Sequence, residues 1–380
     1  MEPPLRPSDA LRRVAYLLER QLAEGYKVRA FRRAAATVDT TDEGRLGDLA
    51  RRGRLTDLPG VGETTARVIA EALEGKVPSY LAQLEEEASA GTGEAVARGA
   101  GVARSAEAPR GAGVARGAGV ARGAGATRRA AAAAALRAAL RGDCHTHSDW
   151  SDGGSPIDEM AAAARDLGHD YLALTDHSPR LTVAHGLDAE RLRRQLEIVA
   201  RLNDEMAPFR ILTGIEVDIL EDGALDQDAG LLAELDVVVA SVHSKLRMVP
   251  GQMTLRMVRA VESPHVDILG HCTGRLILGR GRPQSSFDAE AVFGACAASG
   301  TAVEINSRPE RRDPPPDLLM LAASLGCVFA VDTDAHAPGQ LEWQDLGCEQ
   351  AADAGIAPGR VVNTLPLDDF LAWTAAHAAG

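Results

Sequence analysis

The chain has 380 residues, of which 45% are hydrophobic and 25% are charged, and these values exclude wholesale disorder. No apolar run approaches the length of a membrane-spanning helix. Residues 1–142 carry 23 Lys and Arg against 17 Asp and Glu, whereas residues 143–380 carry 18 against 37. The strongly acidic second part can attract a polyanion only where bound cations offset its charge.

Helical periodicity dominates residues 1–88. Ser8 is a candidate N-cap, because apolar residues follow it at helical spacing. Further helical patterns lead to the run Leu-Pro-Gly-Val-Gly at 58–62, which predicts a hairpin between two helices. Gly60 and Gly62 let this turn approach a phosphate closely, and amides at the start of the next helix can donate to it. An ordinary glycine-rich connection is the alternative.

The segment 89–136 has low complexity and repeats the sequence GAGVAR. It offers almost no bulky side chains to bury, so we predict a flexible linker. Its arginines are expected to be solvated, with contact to nucleic acid as the alternative. Residues 130–140 predict a short helix that leads into the next domain, which we place at 137–380.

Residues 137–380 alternate between β and α patterns. Seven apolar, strand-like runs with helical segments between most of them predict a mostly parallel sheet. The runs are 143–147, 171–175, 211–217, 237–242, 266–269, 302–305 and 328–331. Such a sheet is either open or closed into a barrel, and the pattern alone does not choose between the two.

Potential metal ligands stand at nearly every predicted strand end. Residues i and i+2 of a strand point the same way, so His145 and His147 can bind one ion together, as can Asp334 and His336. Strand ends on one rim of a parallel barrel converge on a single cavity. Imidazole and carboxylate ligands suit Zn, Mn or Fe. The set is too large for one tetrahedral ion, so we predict two or three divalent ions, with Glu216 as a bridging carboxylate.

The same strand-end motifs carry a family resemblance. They are Asp143-Cys-His-Thr-His147, Asp152-Gly, Thr175-Asp-His177, Gly214-Ile-Glu216, Ser241-Val-His243, Leu269-Gly-His271, Glu304-Ile-Asn306 and Asp332-Thr-Asp334-Ala-His336. Over about residues 141–370 the chain resembles the PHP superfamily (polymerase and histidinol phosphatase), and most closely the PHP domain attached to bacterial family X DNA polymerases. The resemblance implies an α/β fold, a distorted seven-stranded β/α barrel of TIM-like type, and a trinuclear metal centre. The implied ligands are His145, His147, Asp152, His177, Glu216, His243, His271, Asp334 and His336.

The chemistry that this resemblance implies is phosphate-ester hydrolysis. Divalent cations lower the pKa of bound water and neutralise charge on phosphate oxygens, so no Ser or Cys nucleophile is needed. Catalytic roles are predicted for Glu216, His243, Asp334 and His336. Candidates to bind substrate phosphate, each otherwise an ordinary surface charge, are Arg180, Lys245, Arg247, Arg275 and Arg308. Candidates to orient ligand imidazoles are Asp143, Asp176 and Asp332, with a residue that simply ends its strand as the alternative for Asp332.

The N-terminal unit carries a second resemblance. Residues 8–88, with the helix-hairpin-helix at 58–62, are similar to the first domain of family X polymerases. Its basic helix supplies candidate DNA-backbone contacts, with a solvated helix face as the alternative: Lys27, Arg29, Arg32 and Arg33. The space before residue 141 is too short for a polymerase palm and fingers, so we expect no DNA polymerase activity. The lysine of related lyases matches Val68, which excludes a Schiff base.

Three functions compete at this point. The leading hypothesis is a metal-dependent phosphoesterase that acts on DNA, as a 3'-5' exonuclease or a DNA-end phosphatase. The alternative is a small-molecule phosphomonoesterase of histidinol-phosphatase type with a vestigial first domain. A non-catalytic DNA-binding scaffold is disfavoured, because structural metal sites usually close around one ion. The absence of an apolar N-terminal core and the five scattered cysteines fit a cytoplasmic location without a membrane partner.

Overall fold

The computed structural model describes residues 5–89 and 118–378, and these form parts of two compact units. One unit lies within residues 1–107 and the other within residues 108–380. Residues 90–117 of the predicted linker lie outside the described residues. Across the two described ranges, no helix combines the length and the apolar character needed to cross a bilayer.

Five helices build the described part of the N-terminal unit around an aliphatic core. They are α1 (Pro7–Arg20), α2 (Gly25–Asp39), α3 (Glu43–Arg51), α4 (Glu63–Leu73) and α5 (Ser79–Ser89). Ser8 is not the N-cap of α1, because the helix already begins at Pro7 after the N-cap Arg6. A proline fits the first helical position, where its missing N–H costs no hydrogen bond. The predicted hairpin is confirmed, since Gly60 adopts φ +75° just before α4 begins.

The helix that enters the second unit is longer than predicted. α6 spans Ala118–Ala139, so it begins within the segment 89–136 that the sequence predicts as a linker. Alanine has the highest helix propensity of all residues, and the alanine run in this segment outweighs the glycines before it. Leu136 is buried, and Arg137 Nε donates to Asp345 at 3.1 Å. The C-terminal half of α6 therefore belongs to the second unit.

Seven parallel strands form a single sheet, as predicted, and they follow one another in chain order. They are β1 (Gly142–Thr146), β2 (Tyr171–Leu174), β3 (Arg210–Asp218), β4 (Val237–Ser241), β5 (Ile268–Leu269), β6 (Ala302–Asn306) and β7 (Phe329–Asp332). The helices that follow α6 are α7 (Ile157–Asp166), α8 (Ala189–Met206), α9 (Ala229–Leu232), α10 (Pro250–Val261), α11 (Ala289–Ser299), α12 (Pro316–Ser324), α13 (Gln344–Asp353) and α14 (Leu367–Ala378). Nearly all strand residues are buried, as expected when helices cover the sheet.

The sheet curves into a nearly closed barrel in which β1 lies beside β7. Thr146 forms a parallel bridge to Ala335, just beyond the end of β7. Towards the other end of the seam, the buried amide of Asn363 donates to the carbonyl oxygens of Gly142 and Val331 at 3.0 and 2.8 Å. A side chain thus supplies donors to backbone acceptors at the seam, where burial would make unpaired groups costly. Of the two possibilities that the sequence left, the structure has the barrel, which is nearly closed.

Candidate metal centre

The nine candidate ligands meet at the carboxyl ends of the strands. His145 and Glu216 lie in β1 and β3, and the loops that follow the strands carry the others: His147, Asp152, His177, His243, His271, Asp334 and His336. Most of these side chains are buried, and Asp152 is the most exposed with 35% of its side chain accessible. The convergence follows from topology, because parallel strands all end on one rim of a barrel.

Glu216 stands at the centre of this cluster. Its Oε1 lies 2.9 Å from His271 Nε2 and 3.2 Å from His243 Nε2. Its Oε2 lies 2.8 Å from His177 Nδ1 and 3.4 Å from His145 Nε2. A carboxylate between imidazoles on both sides is the arrangement expected of a ligand that bridges two ions.

A second group of ligand atoms lies beside the first. Asp152 Oδ1 is 3.3 Å from His336 Nε2 and 3.4 Å from His177 Nε2. Asp334 Oδ1 is 3.4 Å from His147 Nε2. Three sets of ligand atoms each lie within 4.8 Å of one another, and they overlap at His147, His177 and Glu216. Adjacent sets that share members fit a cluster of ions better than one isolated ion.

Many polar atoms of the cluster are buried without the hydrogen bonds that core residues usually make. Within the part of the chain that the structure describes, these buried atoms lack a hydrogen-bond partner of acceptable geometry: His145 Nε2, both ring nitrogens of His147 and His243, His177 Nδ1, His271 Nδ1 and both oxygens of Glu216. Unpaired buried polar atoms are rare because each costs about 1–3 kcal/mol. So many in one cavity are explained by cations that would accept their lone pairs, so the residues fit divalent metal.

The charge states of Glu216 and His147 suit metal binding, whereas, against the effect of burial, Glu216 raises the pKa of His243 to about 9, so an ion bound beside His243 would displace a proton. Burial acts to raise the pKa of Glu216, but the imidazoles of His243, His145 and His177 outweigh it and hold the pKa well below its ordinary value. Burial lowers the pKa of His147 to about 3, reinforced by His336 and His177. An ionised carboxylate and a neutral imidazole are the forms that coordinate a cation.

Backbone geometry holds two loops of the cluster in place. Asp334 adopts φ +53°, a left-handed conformation that is uncommon outside glycine and marks functional sites more often than ordinary loops. Asp176 accepts hydrogen bonds from Ser148 Oγ and Gln195 Nε2, both at 2.6 Å. Asp176 therefore braces the loop after His147 and does not orient an imidazole, which corrects the prediction.

The other two acids predicted to orient imidazoles also bind other groups, one a hydroxyl and one a backbone amide. Asp143 Oδ2 accepts from Thr333 Oγ1 at 2.5 Å, and Asp332 Oδ1 accepts from the backbone N–H of Cys144 at 2.8 Å. Both carboxyls therefore link β1 to β7 and its following loop. Because their partners come from the seam of the barrel, sequence spacing did not reveal this role.

The carboxylates that approach the imidazoles from behind are Glu304 and Asp218. Glu304 Oε1 lies 2.6 Å from His145 Nδ1, with both side chains fully buried. Asp218 Oδ1 lies 3.6 Å from His243 Nδ1 and accepts from the backbone N–H of His243 at 3.1 Å. Sequence analysis assigned no role to either residue. The available signal in the sequence was a carboxylate within an apolar, strand-like run, since unpaired Asp and Glu are almost never buried.

Comparisons with known proteins agree with this geometry. The PHP domain family matches residues 143–308, and a helix-hairpin-helix domain family matches residues 5–77. A probable phosphatase from Thermoanaerobacter sp. is 30% identical over 233 residues, which cover 58% of this chain and 89% of the relative. The chain belongs to the PHP family. Family membership and the ligand cluster together support a metal-dependent phosphoester hydrolase.

Other relatives of this PHP protein differ in length. The DNA polymerase/3'-5' exonuclease PolX of Bacillus subtilis is 41% identical over 234 residues, but the chain spans only 41% of its length. A probable phosphatase from Syntrophotalea carbinolica is 29% identical, and 90% of it is covered. Among solved structures, histidinol phosphate phosphatase from Lactococcus lactis covers 57% of this chain and 94% of its own, with 18% identity and a TM-score of 0.40.

Of the five cations predicted to bind substrate phosphate, the structure places Arg308 at the PHP centre. Its Nη1 lies 3.3 Å from His336 Nδ1 and 3.5 Å from Asp334 Oδ1. Arg311, which sequence analysis did not select, lies beside it with Nε 3.1 Å from Asp334 Oδ2. The irregular loop after β6 has no periodicity from which this position could have been inferred. Two guanidinium groups therefore approach the same ligand carboxylate.

The other four predicted cations have different surroundings. Arg275 is held by backbone, because its Nε donates to the carbonyl of Arg311 at 2.9 Å and its Nη2 donates to that of Arg312. Arg180 is largely exposed and pairs with Asp226 at 3.5 Å. Lys245 and Arg247 are exposed on the loop after β4. Arg275 therefore supports the loop after β6, and a phosphate contact by any of these four cations stays a prediction.

The predicted DNA contacts of the helical unit also divide into two groups. Arg32 makes a two-pronged ion pair with the buried Glu19, with its Nε at 2.6 Å and its Nη2 at 3.0 Å from the carboxylate oxygens. That pair gives Arg32 a structural role within the helical unit, and its contact with DNA stays a prediction. The remaining positions are exposed on α2 or lie in the hairpin: Lys27, Arg29, Arg33, Gly60 and Gly62.

Proposed function

We propose that this chain hydrolyses phosphate esters at DNA ends, as a 3'-5' exonuclease or a DNA-end phosphatase. The nine converging residues would hold two or three divalent ions, and Zn, Mn and Fe suit their imidazole and carboxylate atoms. The observation that carries the proposal is the set of buried ligand atoms without hydrogen-bond partners among the described residues. Glu216 is the candidate bridging ligand, because both of its oxygens approach imidazoles.

The chain's own residues prepare this site for an anionic substrate. Divalent ions bound here would lower the pKa of a bound water and offset the negative charge of a phosphate. Arg308 reaches the mouth of the site and offers guanidinium donors to phosphate oxygens, for which its planar geometry is well suited. Glu304 fixes the orientation of His145 from behind. Proposed roles in catalysis fall to Glu216, His243, Asp334 and His336.

DNA is favoured as the substrate by the helical unit. The helix-hairpin-helix match covers residues 5–77, and Gly60 with its positive φ begins the turn that exposes the amides of α4. Such turns bind phosphate backbone without reading sequence. The similarity to the Bacillus PolX, which is named as an exonuclease, supports the same substrate. The five cysteines are all free and buried, which supports action in a reducing compartment such as the cytoplasm.

One observation favours a second candidate, a small-molecule phosphomonoesterase. The relatives named as probable phosphatases are covered over 89% and 90% of their length by 58% of this chain, so they leave no room for both of its units. In that case the barrel would act without help from the helical unit. The two candidates make different predictions for variants that lack the DNA-binding groups of the helical unit. Turnover of DNA should fall for the first candidate, and turnover of a small phosphate ester should not change for the second.

The test combines metal analysis of the purified protein with two hydrolysis assays. Labelled single-stranded DNA and p-nitrophenyl phosphate are offered to the wild type, His147→Ala and Asp334→Asn. We expect more than one equivalent of metal and loss of DNA hydrolysis in both variants, while His185→Ala, an exposed histidine, retains it. Full activity in both site variants would refute the site. Hydrolysis of the monoester alone would favour the second candidate.

A further inference from the structure

The loops at the carboxyl ends of the strands differ in charge from one side of the barrel to the other. The loops after β4, β5 and β6 contain eight Lys and Arg against three Asp and Glu. The loops after β1, β2, β3 and β7 contain one Arg against ten Asp and Glu. The first group is 242–249, 270–288 and 307–315, and the second is 147–156, 175–188, 219–228 and 333–343.

The three basic loops form one surface, which we call the basic sector. β4, β5 and β6 are neighbours in the sheet, so their loops are adjacent. The backbone N–H of Ile277 donates to the carbonyl of Glu310 at 2.6 Å, which ties the second loop to the third. Ser285 Oγ donates to the carbonyl of Leu246 at 2.9 Å, which ties the second loop to the first. The sector is therefore a connected structure within a domain of opposite overall charge.

Three cations on the outer part of the sector are available to a ligand. Arg247 and Arg280 are exposed, and neither makes an ion pair or a side-chain hydrogen bond with any residue of 5–89 or 118–378. Lys245 is 64% exposed, and its Nζ approaches only the exposed Glu221, at 3.9 Å. A surface contact of that length contributes little, so the ammonium group remains free to bind an anion.

The inner end of the sector reaches the metal centre. Arg308, on the third loop, has Nη1 3.3 Å from His336 Nδ1. A small phosphate ester would be satisfied by the centre and this arginine. Such an ester would not reach the outer cations. Their concentration in the one basic part of otherwise acidic loops would then have no explanation. A chain of phosphates explains them, because a positively charged groove that follows the backbone is how single strands are bound.

We infer that the basic sector binds the phosphate backbone of a single-stranded nucleic acid and directs its end into the metal centre. The inference rests on the proposed function and adds to it the side of the barrel from which the strand approaches. The acidic loops on the other side repel the same backbone, so the strand is guided to one side. This binding surface belongs to the barrel and is separate from the helix-hairpin-helix.

The test compares two triple variants of the full chain. Lys245→Gln, Arg247→Gln and Arg280→Gln together remove the outer cations of the sector. The control, Arg193→Gln, Arg194→Gln and Arg201→Gln, removes the same charge from exposed positions on α8. Binding of a fluorescent single-stranded dT oligonucleotide is measured by anisotropy across a salt series. The ratio of kcat/KM on the oligonucleotide to that on p-nitrophenyl phosphate is measured in parallel.

The sector variant should bind the oligonucleotide at least tenfold more weakly than the control. The slope of log affinity against log salt should fall by about 2, since each lost phosphate contact on a single strand contributes about 0.7. The kcat/KM ratio should fall with it. Equal affinity and slope in the two triple variants would overturn the inference even if the wild type cleaves DNA. If the wild type does not cleave DNA, the proposed function is contradicted. The binding measurement does not depend on cleavage, so it tests the basic sector separately.

Discussion

His145 Nδ1 lies 2.6 Å from Glu304 Oε1, and both side chains are fully buried. The other oxygen of Glu304 accepts the backbone N–H of His271, so one carboxylate touches two candidate ligands. A carboxylate behind a ligand imidazole fixes its tautomer, because the nitrogen facing the carboxylate carries the proton and the other nitrogen is left to bind metal. Here that free nitrogen is Nε2, which faces Glu216 at 3.4 Å.

Glu304→Gln should weaken metal binding by about 10- to 100-fold, which is the usual cost of removing such a partner. The substitution keeps the size of the side chain and removes its charge, so the barrel should still fold. Metal retained after dialysis against a graded chelator is the measurement, with hydrolysis as a second readout. Glu262→Gln, at an exposed position after α10, is the matched control. Retention equal to that of the control would show that Glu304 does not support His145.

Arg308→Gln should reduce kcat/KM for any phosphate ester on the order of 100-fold. Removal of one positioned hydrogen-bond donor to the negative charge that develops in a transition state has a cost of this size in other enzymes. The reason is its position, with Nη1 3.5 Å from Asp334 Oδ1 at the mouth of the site. Arg312→Gln provides the control on the same loop, because Arg312 points to Gln350 on α13. Steady-state kinetics on a monoester should separate the two variants. Similar losses in both would mean that the loop is disturbed and that Arg308 has no direct role.

The strand-end ligands were predictable because two regularities combine. Side chains alternate along a strand, and parallel strands end on one rim, so His145, His147 and Asp334 could be placed together from spacing alone. Residues whose roles depend on distant partners could not be placed this way. Arg275 serves carbonyls on another loop, and Arg32 serves a carboxylate on another helix. A guanidinium with four or five donors gives no sign in the sequence of which acceptors it will meet.

The length of the helix before the barrel shows a second limit. The repeats before residue 130 contain glycine and arginine, which are compatible with a linker or with a helix. Tertiary contacts decide, since Leu136 is buried and Arg137 pairs with Asp345. Propensity is a weak guide where packing against a partner determines the outcome. The approach of β1 to β7 was also not predictable from local sequence. It depends on a hydrogen bond to Gly142 from Asn363, which lies far away in the chain.

Buried His169 should make the second unit less stable in acid. Burial lowers its pKa to about 4, with a further contribution from Arg137. The unfolded chain has a histidine pKa of about 6.5, so it binds the proton more readily than the folded chain, and stability falls as pH drops from about 6.5 to about 4. The wild type should lose about 3 kcal/mol more than His169→Gln over that window, since other buried histidines such as His147 still titrate in the variant.

Tryptophan fluorescence in urea is a suitable measurement, because all three tryptophans lie in the second unit: Trp150, Trp343 and Trp373. The exposed His185 supplies the control, and His185→Gln should follow the wild type at every pH. If the difference in unfolding free energy between wild type and His169→Gln stays constant from pH 7 to pH 4, His169 does not titrate in the way expected.

Gly60→Ala should weaken DNA binding by the helical unit on the order of tenfold, the cost of about one hydrogen bond to a charged group. Gly60 has φ +75°, and an added Cβ would lie 2.4 Å from Arg33 Cδ, so both the hairpin and a candidate contact must move. Gly53 has φ +65° with open space around its Cβ position, so Gly53→Ala imposes a similar strain of about 1–2 kcal/mol away from the hairpin. Both variants should unfold more easily, but only Gly60→Ala should lose affinity in oligonucleotide anisotropy. If Gly60→Ala and Gly53→Ala bind the oligonucleotide with the same affinity, any loss of affinity that they share comes from backbone strain. The hairpin then does not contact DNA.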